Sequence, residues 1–364
     1  MSLRYELLAA DKEARRGRIH TPRGSINTPV FMPVGTRGAV IHLDQRDYEQ
    51  LEIEVVLGNT YHLMLRPGAE VIEGLGGLHS FVSWEGHMLT DSGGFQVMSL
   101  NDNVEIDDDG VTFTSIYDGS KKRFTPEDAE VTQEQLGADI QMALDVCPPL
   151  PSPQKTIVEA MNRTHDWAAR AKSVHSKADQ ALFGIVQGGI DPVLRTQSAK
   201  HLSALDFAGY GIGGLSVGES RQEMMPALRA AISELPEDRP RYLMGVGDPA
   251  RIVDAIGIGV DMFDCVLPTR LARHGTVLTS TGKLNLRNAK HATNDEPLDP
   301  GNPMSNSFSR AYLRHLMQVK EPTAARIATL HNLWFLIDLV KKARQAIEEG
   351  NYEAFRSETL ETWS

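Results

Sequence analysis

Two observations in the sequence predict an α/β protein built as a (β/α)8 TIM barrel. Helix-like stretches separate short apolar or β-branched runs, which is the alternation expected of a parallel sheet. Eight such runs are predicted to be buried strands: Val30–Val34, Val55–Leu57, Met88–Thr90, Ile140–Leu144, Leu182–Val186, Tyr210–Ile212, Tyr242–Met244 and Met262–Leu267. An open doubly wound sheet is the alternative, but no GxGxxG turn follows the first strand.

The segments around these strands are assigned from their helix and turn signals. Thr125–Leu136, with Pro126 just inside its start, and Ile157–Val174 are predicted helices. Asn101–Phe124 alternates with period two about an Asp-Gly turn, which predicts a hairpin insertion. Asn294–Ser309 holds three prolines and one glycine, so we expect an irregular connection there.

The C-terminal part of the chain is predicted to be helical. Arg310–Gln318 and Ala324–Glu349 have helical patterns, and the second carries an apolar stripe through Leu330, Leu333, Trp334 and Ile337. We therefore expect two units: a catalytic barrel domain over residues 1–294, and a helical subdomain over residues 295–364 that packs on it.

Composition limits the class of protein. The chain of 364 residues has a formal net charge of -11, which argues against a protein that only coats nucleic acid. No apolar run approaches the ~18 residues of a membrane span, and the charged N-terminus lacks the apolar core of a signal peptide. The two cysteines, Cys147 and Cys265, give no disulfide framework, so we expect a cytoplasmic protein with no membrane partner.

Polar residues and glycines follow the predicted strands at their C-terminal ends. In a barrel these ends converge on one face, where active sites are built. One residue of this kind is usually a turn residue, but the pattern recurs at or just past the ends of six strands, at Asp91, Asp145, Gln187, the pair Gly213–Gly214, Gly245 and Asp264. The sequence therefore predicts an active site at this face.

Asp91 and Asp264 are the candidates for covalent catalysis. Displacement at an anomeric carbon with retention of configuration needs one carboxylate as nucleophile and another as acid/base. Asp264 lies among apolar neighbours, and Asp91 begins a DSGG turn whose glycines allow a planar ligand to approach the backbone. A plain tight turn is the simpler interpretation of DSGG by itself.

A second set of residues suits a purine-like base. Asp145 can accept two N–H bonds from a guanidine-like edge, and Gln187 offers both a donor and an acceptor. Backbone N–H groups at Gly213–Leu215 can donate to a carbonyl oxygen, while Phe95 and Met244 could hold a ring between apolar faces. Taken singly, Phe95 and Met244 would be ordinary core residues.

The segment from Cys265 to Asn294 has no acidic residue, although the protein as a whole is acidic. Its five basic residues are Arg270, Arg273, Lys283, Arg287 and Lys290. Such residues hold a nucleic acid by its phosphates without reading its sequence. Chemistry on one base of an RNA loop would then need that base to be splayed out into the barrel mouth. A solvated basic loop is the alternative.

Eight longer motifs stand along the chain: NTYHL (59–63), TDSGGFQVMSL (90–100), YDGSKKRFTPE (117–127), FGIVQGG (183–189), GIGGLSVGE (211–219), YLMGVGDP (242–249), MFDCVLPTR (262–270) and SRAYLRHL (309–316). Together they resemble the motifs of bacterial tRNA-guanine transglycosylase. The resemblance covers nearly the whole chain and implies a (β/α)8 barrel, in agreement with the strand pattern. It also implies exchange of guanine at the wobble position of certain tRNAs for a 7-deazaguanine, a step of queuosine biosynthesis.

The resemblance implies roles for individual residues. Asp264 would be the nucleophile of a covalent tRNA intermediate, and Asp91 the proton acceptor and general acid/base. The positions that match base-binding residues are Asp91, Ser92, Gly93, Gly94, Phe95, Asp145, Gln187 and Gly214. Leu215 would add a backbone contact. The positions that match RNA-contact segments are Gly245, Val246, Gly247, Asp248, Pro249, Ala250, Arg251, Thr269, Arg270, Leu271, Ala272 and Arg273.

One departure from the family pattern concerns a metal. The family carries a Cys-x-Cys-x-x-Cys run before SRAYL, and a later histidine as the fourth zinc ligand. Here no cysteine precedes Ser309 in that stretch, and Asp299, Asn302 and Ser305 are poor replacements for thiolates beside the remaining His331. We therefore predict neither zinc nor another cofactor, with packing alone holding the C-terminal helices and His331 in a packing or capping role. The family's homodimer is still expected.

The choice of substrate remains open between related activities. Val217 and Cys147 resemble residues of enzymes that take 7-aminomethyl-7-deazaguanine, whereas relatives that take the bulkier queuine have glycine at the position of Val217. A queuine-salvaging transglycosylase is one alternative. A non-catalytic tRNA-binding partner subunit is another, although Asp91 and Asp264 both stand in intact motifs. A glycosidase of free nucleosides is a third, which the basic segment disfavours.

Overall fold

The structure is a computed structural model that describes residues 3–100 and 104–363. It begins with an antiparallel three-stranded sheet of β1 (Arg4–Asp11), β2 (Ala14–Thr21) and β3 (Gly24–Thr28). The sequence pattern of this charged segment predicts no regular structure. In β2 buried and partly buried side chains alternate only loosely and none is exposed, so the period-two signal of a strand is weak.

The first three barrel strands alternate with short helices. The strands are β4 (Val30–Gly35), β5 (Val55–Gly58) and β6 (His87–Thr90). The helices are α1 (Gln45–Gln50), α2 (Thr60–Leu65), α3 (Ala69–Gly74), α4 (Gly77–Val82) and α5 (Gly94–Ser99). An antiparallel insertion follows, with β7 (Glu105–Asp107), β8 (Gly110–Thr114) and β9 (Lys121–Phe124). The predicted hairpin is confirmed with a third strand added, and residues 101–103 lie outside the described residues.

The remaining barrel strands alternate with longer helices. The predicted helix α6 (Pro126–Leu136) begins at a capping box in which Thr125 and Asp128 bond each other's backbone. After it come β10 (Ile140–Met142), α7 (Gln154–Val174), β11 (Ala181–Val186), α8 (Pro192–Ala204), β12 (Gly209–Ile212), α9 (Arg221–Ile232), β13 (Arg241–Leu243), α10 (Pro249–Ile256), β14 (Met262–Cys265) and α11 (Leu267–Arg273).

Within the described ranges, eight parallel strands close into a barrel in the order β4, β5, β6, β10, β11, β12, β13, β14, and β14 pairs back with β4. The TIM barrel and its eight strands are therefore confirmed. Apolar side chains such as Leu57 and Phe183 fill the interior. In β12 a Cβ at Gly209 would lie 2.3 Å from the Phe183 ring, and one at Gly211 would lie 2.6 Å from Met142 Cε. These glycines make room for the larger interior side chains.

A basic hairpin and three helices follow the barrel. The hairpin consists of β15 (Thr276–Thr279) and β16 (Gly282–Asn285), and a 3-10 turn follows at Ala289–His291. Residues 294–309 form turns, apart from one bridge between Pro297 and Ser309, in agreement with the predicted irregular connection. The helices are α12 (Arg310–Gln318), α13 (Pro322–Glu348) and α14 (Tyr352–Trp363).

The C-terminal helices pack on the outside of the barrel. The predicted stripe of α13 buries Leu330, Leu333 and Ile337 in the core that surrounds the barrel. From α14, Tyr352 Oη donates to the Val253 carbonyl of α10 at 2.6 Å. The domain boundary at residue 294 stays a prediction. No helix in the described parts of the chain is both long enough and apolar enough to cross a membrane.

The N-terminal sheet covers the end of the barrel where the strands begin. Asp261, just before β14, accepts hydrogen bonds from Tyr5 Oη and Arg15 Nη2, both at 2.8 Å. Ile19 and Ile26 pack with the apolar side chains of the barrel interior. This sheet leaves the carboxyl ends of the strands as the open face of the barrel.

Candidate active site

A cavity of about 800 Å³ lies at the carboxyl ends of the barrel strands. Its lining includes Asp91 after β6, Asp145 after β10, Met244 and Gly245 after β13, and Asp264 in β14. The structure thus brings together side chains from four separate strand ends, as expected from their place in the sequence. Gln187 is buried behind this lining and bonds Asp145.

The alternation of strand side chains explains why these residues meet. Asp91, Gln187, Met244 and Asp264 each stand two positions after an interior apolar residue, namely Leu89, Ile185, Tyr242 and Met262. Because alternate side chains of a strand point to the same side, these four continue the inward-facing rows into the mouth. The apolar rows end where the cavity begins.

Asp264 is buried and held at one oxygen. Its Oδ1 accepts hydrogen bonds from Tyr242 Oη at 2.6 Å and from the Gly245 N–H at 2.7 Å. Among the described residues, Oδ2 has no hydrogen-bond partner. Burial raises the pKa of Asp264, and the bonds from Tyr242 and Gly245 oppose that rise because they stabilise the ionised form. The carboxylate is therefore fixed in orientation with one oxygen uncommitted.

Asp91 is held by the segment that begins α2. Asn59 Nδ2 donates to Oδ2 at 2.5 Å, and the Thr60 and Gly93 N–H groups donate to Oδ1 at 2.9 and 3.2 Å. Burial raises the pKa of Asp91 to about 7, and the charge of Asp264 adds to that rise against these hydrogen bonds. A carboxyl group that titrates near neutral pH can both take up and release a proton.

Asp145 and its neighbours form a polar patch on another wall of the cavity. Gln187 Nε2 donates to Asp145 Oδ2 at 2.7 Å, and Ser92 Oγ donates to Oδ1 at 3.3 Å. Burial raises the pKa of Asp145 to about 6. Gly214 has a φ of +65°, and a Cβ there would lie 2.2 Å from Gln187 Oε1, so only glycine fits beside this pair.

The remaining predicted base-binding residues lie around this patch. Gly93 and Leu215 line the cavity, as do Phe95 and Met244. Phe95 is 46% exposed at the mouth, so its ring face is open to a ligand. Gly94 is buried and donates its N–H to Ser92 Oγ at 3.2 Å, which makes it a support of the turn.

Arg195 supports the base-binding wall and was not identified from the sequence. Its buried guanidinium donates to the carbonyl oxygens of Gly189, Val186 and Gly213 at 2.7, 2.9 and 2.7 Å. The C=O and N–H of a trans peptide point in opposite directions. Holding the Gly213 carbonyl therefore turns the Gly214 N–H away from Arg195, towards Cys147 on the cavity lining.

Three further supporting residues were missed because contacts across strands leave no local sequence signal. Asn59 and Thr60 stand in the motif NTYHL, and Tyr242 stands in YLMGVGDP. These motifs carry the family resemblance, but they do not indicate that the three residues support the aspartates. An arginine such as Arg195, inside an otherwise ordinary helix, would be taken for a surface residue. Only the fold shows that these four side chains support the carboxylates and the glycine turn.

The predicted RNA-contact residues divide into exposed and buried groups. Arg270 and Arg273 of α11 are exposed, and Arg270 also lines the cavity beyond Asp264. Exposed Lys283, Arg287 and Lys290 extend the basic surface along the hairpin and the turn after it. The buried members are Val246, Gly247, Pro249, Ala250, Thr269 and Ala272, and these can support an RNA surface but present no side chain to it.

Two charged members of the predicted RNA segments make protein contacts. Arg251 donates to the Glu219 carboxylate at 3.1 Å and to the Glu219 carbonyl at 2.8 Å. Asp248 caps α10 and lies 3.8 Å from Lys283. Exposed Gly245 gives its N–H to Asp264, and Leu271 is partly buried. Arg270 and Arg273 are therefore the members of this set best placed to meet a phosphate backbone.

The residues at the expected zinc site do not fit that metal. Both cysteines, Cys147 and Cys265, line the active-site cavity instead. The ring nitrogens of His331 are both engaged, Nε2 with the Leu278 carbonyl and Nδ1 with Ser305 Oγ, each at 2.7 Å. A structural zinc site is built from four cysteine and histidine ligands, and this stretch supplies no cysteine to join His331.

Comparison with known proteins identifies relatives along nearly the whole chain. The family described as queuine tRNA-ribosyltransferase matches residues 11–364. A protein of that name from Herpetosiphon aurantiacus is 51% identical over 358 residues, 98% of this chain and 91% of the relative. One from Symbiobacterium thermophilum is 50% identical over 100% of this chain and 92% of its own length. One from Halothermothrix orenii is 49% identical over 99% and 98%.

Proposed function

The chain belongs to the queuine tRNA-ribosyltransferase family, and from that premise we propose that it exchanges a guanine of tRNA for a 7-deazaguanine through a covalent Asp264–ribose intermediate. The exchanged guanine is the one at the anticodon wobble position. One observation carries the proposal: in the same cavity as Asp91, Asp264 is fixed through Oδ1 by two donors, while Oδ2 has no hydrogen-bond partner in the part of the chain that the structure describes.

In the first half-reaction, Asp264 Oδ2 attacks C1′ of the ribose. The bond from C1′ to N9 of guanine breaks, and its electron pair passes to the leaving base. Asp91, whose pKa is about 7, supplies the proton that the base takes up. The products are a glycosyl ester on Asp264, free guanine and an ionised Asp91.

In the second half-reaction, the incoming 7-deazaguanine attacks the same carbon. Asp91 accepts the proton from its N9–H, the new bond forms from N9 to C1′, and the ester to Asp264 breaks with its electron pair returning to the carboxylate. Two displacements give retention of configuration at C1′. Both aspartates are back in their starting states, so the cycle needs no cofactor.

Base recognition is assigned to the polar patch around Asp145. Asp145 accepts from the N–H groups of the guanidine-like edge, and the Gly214 and Leu215 N–H groups meet the carbonyl side. Gln187, predicted as a base-binding residue, acts from behind the lining by orienting Asp145. Phe95 and Met244 hold the ring between apolar faces. Val217 lines the cavity, and its side chain narrows the space for a bulky 7-substituent, which favours 7-aminomethyl-7-deazaguanine over queuine.

The tRNA strand is assigned to the basic surface beside Asp264. Arg270 and Arg273 lie on α11, directly after the nucleophile in the chain, so they would hold the phosphates that flank the extruded nucleotide. The positive charge is concentrated on this surface, so a protein that is acidic as a whole can still bind RNA here. The expected homodimer stays a prediction that sedimentation velocity would test.

The test is incorporation of labelled guanine into cognate tRNA by wild type and by Asp264→Asn. We expect exchange by wild type and none by Asp264→Asn, with tRNA binding by the variant retained. Exchange by Asp264→Asn at the wild-type rate would overturn the covalent assignment. Absence of exchange by wild type with tRNA bound would favour the non-catalytic partner subunit, and parallel assays with queuine and the aminomethyl base decide the substrate.

A further inference from the structure

We propose that four buried, hydrogen-bonded side chains form a metal-free clasp: Asp299, Asn302, Ser305 and His331. The clasp takes the structural role that the family resemblance gives to zinc, and it fixes α11, the helix that carries Arg270 and Arg273. All four clasp residues are buried. The second half of this inference rests on the proposed function, because it assigns Arg270 and Arg273 to tRNA.

His331 is the centre of the clasp. The Leu278 carbonyl of β15 can only accept, so His331 Nε2 carries the hydrogen of the 2.7 Å bond between them. In the neutral imidazole Nδ1 then accepts from Ser305 Oγ, also at 2.7 Å. Each ring nitrogen has its partner, and neither retains a lone pair for a cation.

Asn302 and Asp299 extend the clasp at three-residue intervals before Ser305. Asn302 Nδ2 donates to the His331 carbonyl at 3.0 Å, and its Oδ1 accepts from the Met304 N–H at 3.0 Å. Asp299 Oδ2 accepts from the Ser280 N–H at 2.8 Å, and Oδ1 from Ser280 Oγ at 3.4 Å. The turn at residues 299–305 is thus joined to α13 and to the hairpin tip.

Asn332, the neighbour of His331, carries the connection to α11. Its Oδ1 accepts from the Leu278 N–H at 2.8 Å, and its Nδ2 donates to the Pro268 and Thr276 carbonyls at 3.0 and 3.1 Å. Pro268 lies in the first turn of α11, two residues before Arg270. One pair of adjacent side chains on α13 therefore fixes both β15 and α11.

An apolar cluster surrounds part of this network, which explains why its polar groups are paired. The cluster includes Ala272, Val277, Leu286, Leu298, Leu313 and Ala328. A polar group buried in such surroundings costs free energy unless it is hydrogen-bonded. Each clasp side chain is hydrogen-bonded either to another clasp residue or to the hairpin, so losing one partner leaves another group unpaired, which is the behaviour of a specific structural link.

The structural half is tested by metal analysis and thermal unfolding of the full-length protein. We expect far less than one zinc per chain and a melting temperature that a chelator does not change. Ser305→Ala should lower the melting temperature by on the order of 2–4 °C, because it leaves His331 Nδ1 buried and unpaired. Ser307→Ala, at an exposed serine two residues further along the chain, is the matched control and should not change the melting temperature.

The functional half is tested by steady-state exchange with the same two variants. Ser305→Ala should raise KM for tRNA about threefold or more, with kcat and KM for the base within about twofold of wild type. One zinc per chain whose removal lowers the melting temperature, or equal melting of the Ser305 and Ser307 variants, overturns the clasp. Lower stability with unchanged KM for tRNA overturns its link to α11. A wild type without exchange activity would refute the proposed function and leave the metal and melting results intact.

Discussion

The hydrogen bond from Tyr242 to Asp264 makes the clearest quantitative prediction, because it acts on the ionisation of the nucleophile. Tyr242→Phe removes the 2.6 Å bond to Oδ1 and leaves the Gly245 N–H as the remaining donor. A hydrogen bond to a charged group contributes about 1.5–3 kcal/mol. At about 1.4 kcal/mol per pKa unit, its loss should raise the pKa of Asp264 by roughly 1–2 units.

The assay is the pH dependence of kcat/KM for tRNA. Only ionised Asp264 can attack C1′, so activity falls on the acid side as this carboxyl is protonated. We expect Tyr242→Phe to move the acid limb upwards by about 1–2 pH units and to leave the alkaline limb, where Asp91 loses its proton, at the wild-type position. An acid limb at the wild-type position would refute the assignment of Asp264 as the group whose protonation stops the reaction.

Tyr210→Phe is the matched control for this experiment. Tyr210 is a buried tyrosine of the adjacent strand β12 whose ring packs against Phe207. The substitution removes one hydroxyl from the barrel without changing a contact of Asp264, so the acid limb of this variant should coincide with that of wild type. A shift in both variants would point to a general change in barrel packing.

Three further predictions follow from the contacts of the site. Asn59→Ala removes a hydrogen-bond donor to ionised Asp91, so the apparent pKa of Asp91 in the pH profile of kcat should rise from about 7 by roughly 1–2 units. An unchanged profile would contradict the acid/base role of Asp91. A lysine in place of Arg195 cannot bond the same three carbonyl oxygens, so Arg195→Lys should raise KM for guanine about tenfold and lower kcat by a smaller factor. A fall in kcat as large as the rise in KM would contradict a role in binding the base. Arg273→Ala should weaken tRNA binding and reduce the slope of log K against log salt by about 0.7, and an unchanged slope would remove Arg273 from the phosphate contacts.

Strand alternation made much of the site predictable. Asp91 and Asp264 continue inward-facing rows whose apolar members were visible as strand patterns, so their meeting followed from a barrel. Residues whose role depends on a partner far along the chain could not be found in this way. Tyr242 and Asp264 are 22 residues apart, and Arg195 serves carbonyl oxygens, which every residue carries.

The C-terminal part shows the same limit. The sequence indicated that His331 lacks cysteine partners and predicted that packing alone would hold the helices. The structure adds hydrogen bonds to that packing, from Ser305 and Asn302 to His331. Serine and asparagine in a turn are common for reasons of local backbone geometry, so their burial against a distant helix leaves no mark in the sequence. The N-terminal sheet was missed because its strands carry charged residues at many positions.

The measurement that tests the central claim most directly is the mapping of the covalent adduct. Protein is mixed with cognate tRNA, denatured and digested, and the peptide that carries ribonucleotide is identified by mass spectrometry. The account predicts one adduct, on Asp264, absent from Asp264→Asn and released when free base is added before denaturation. An adduct on Asp91 would contradict the account. So would an Asp264→Asn variant that still exchanges the base and forms as much adduct as wild type.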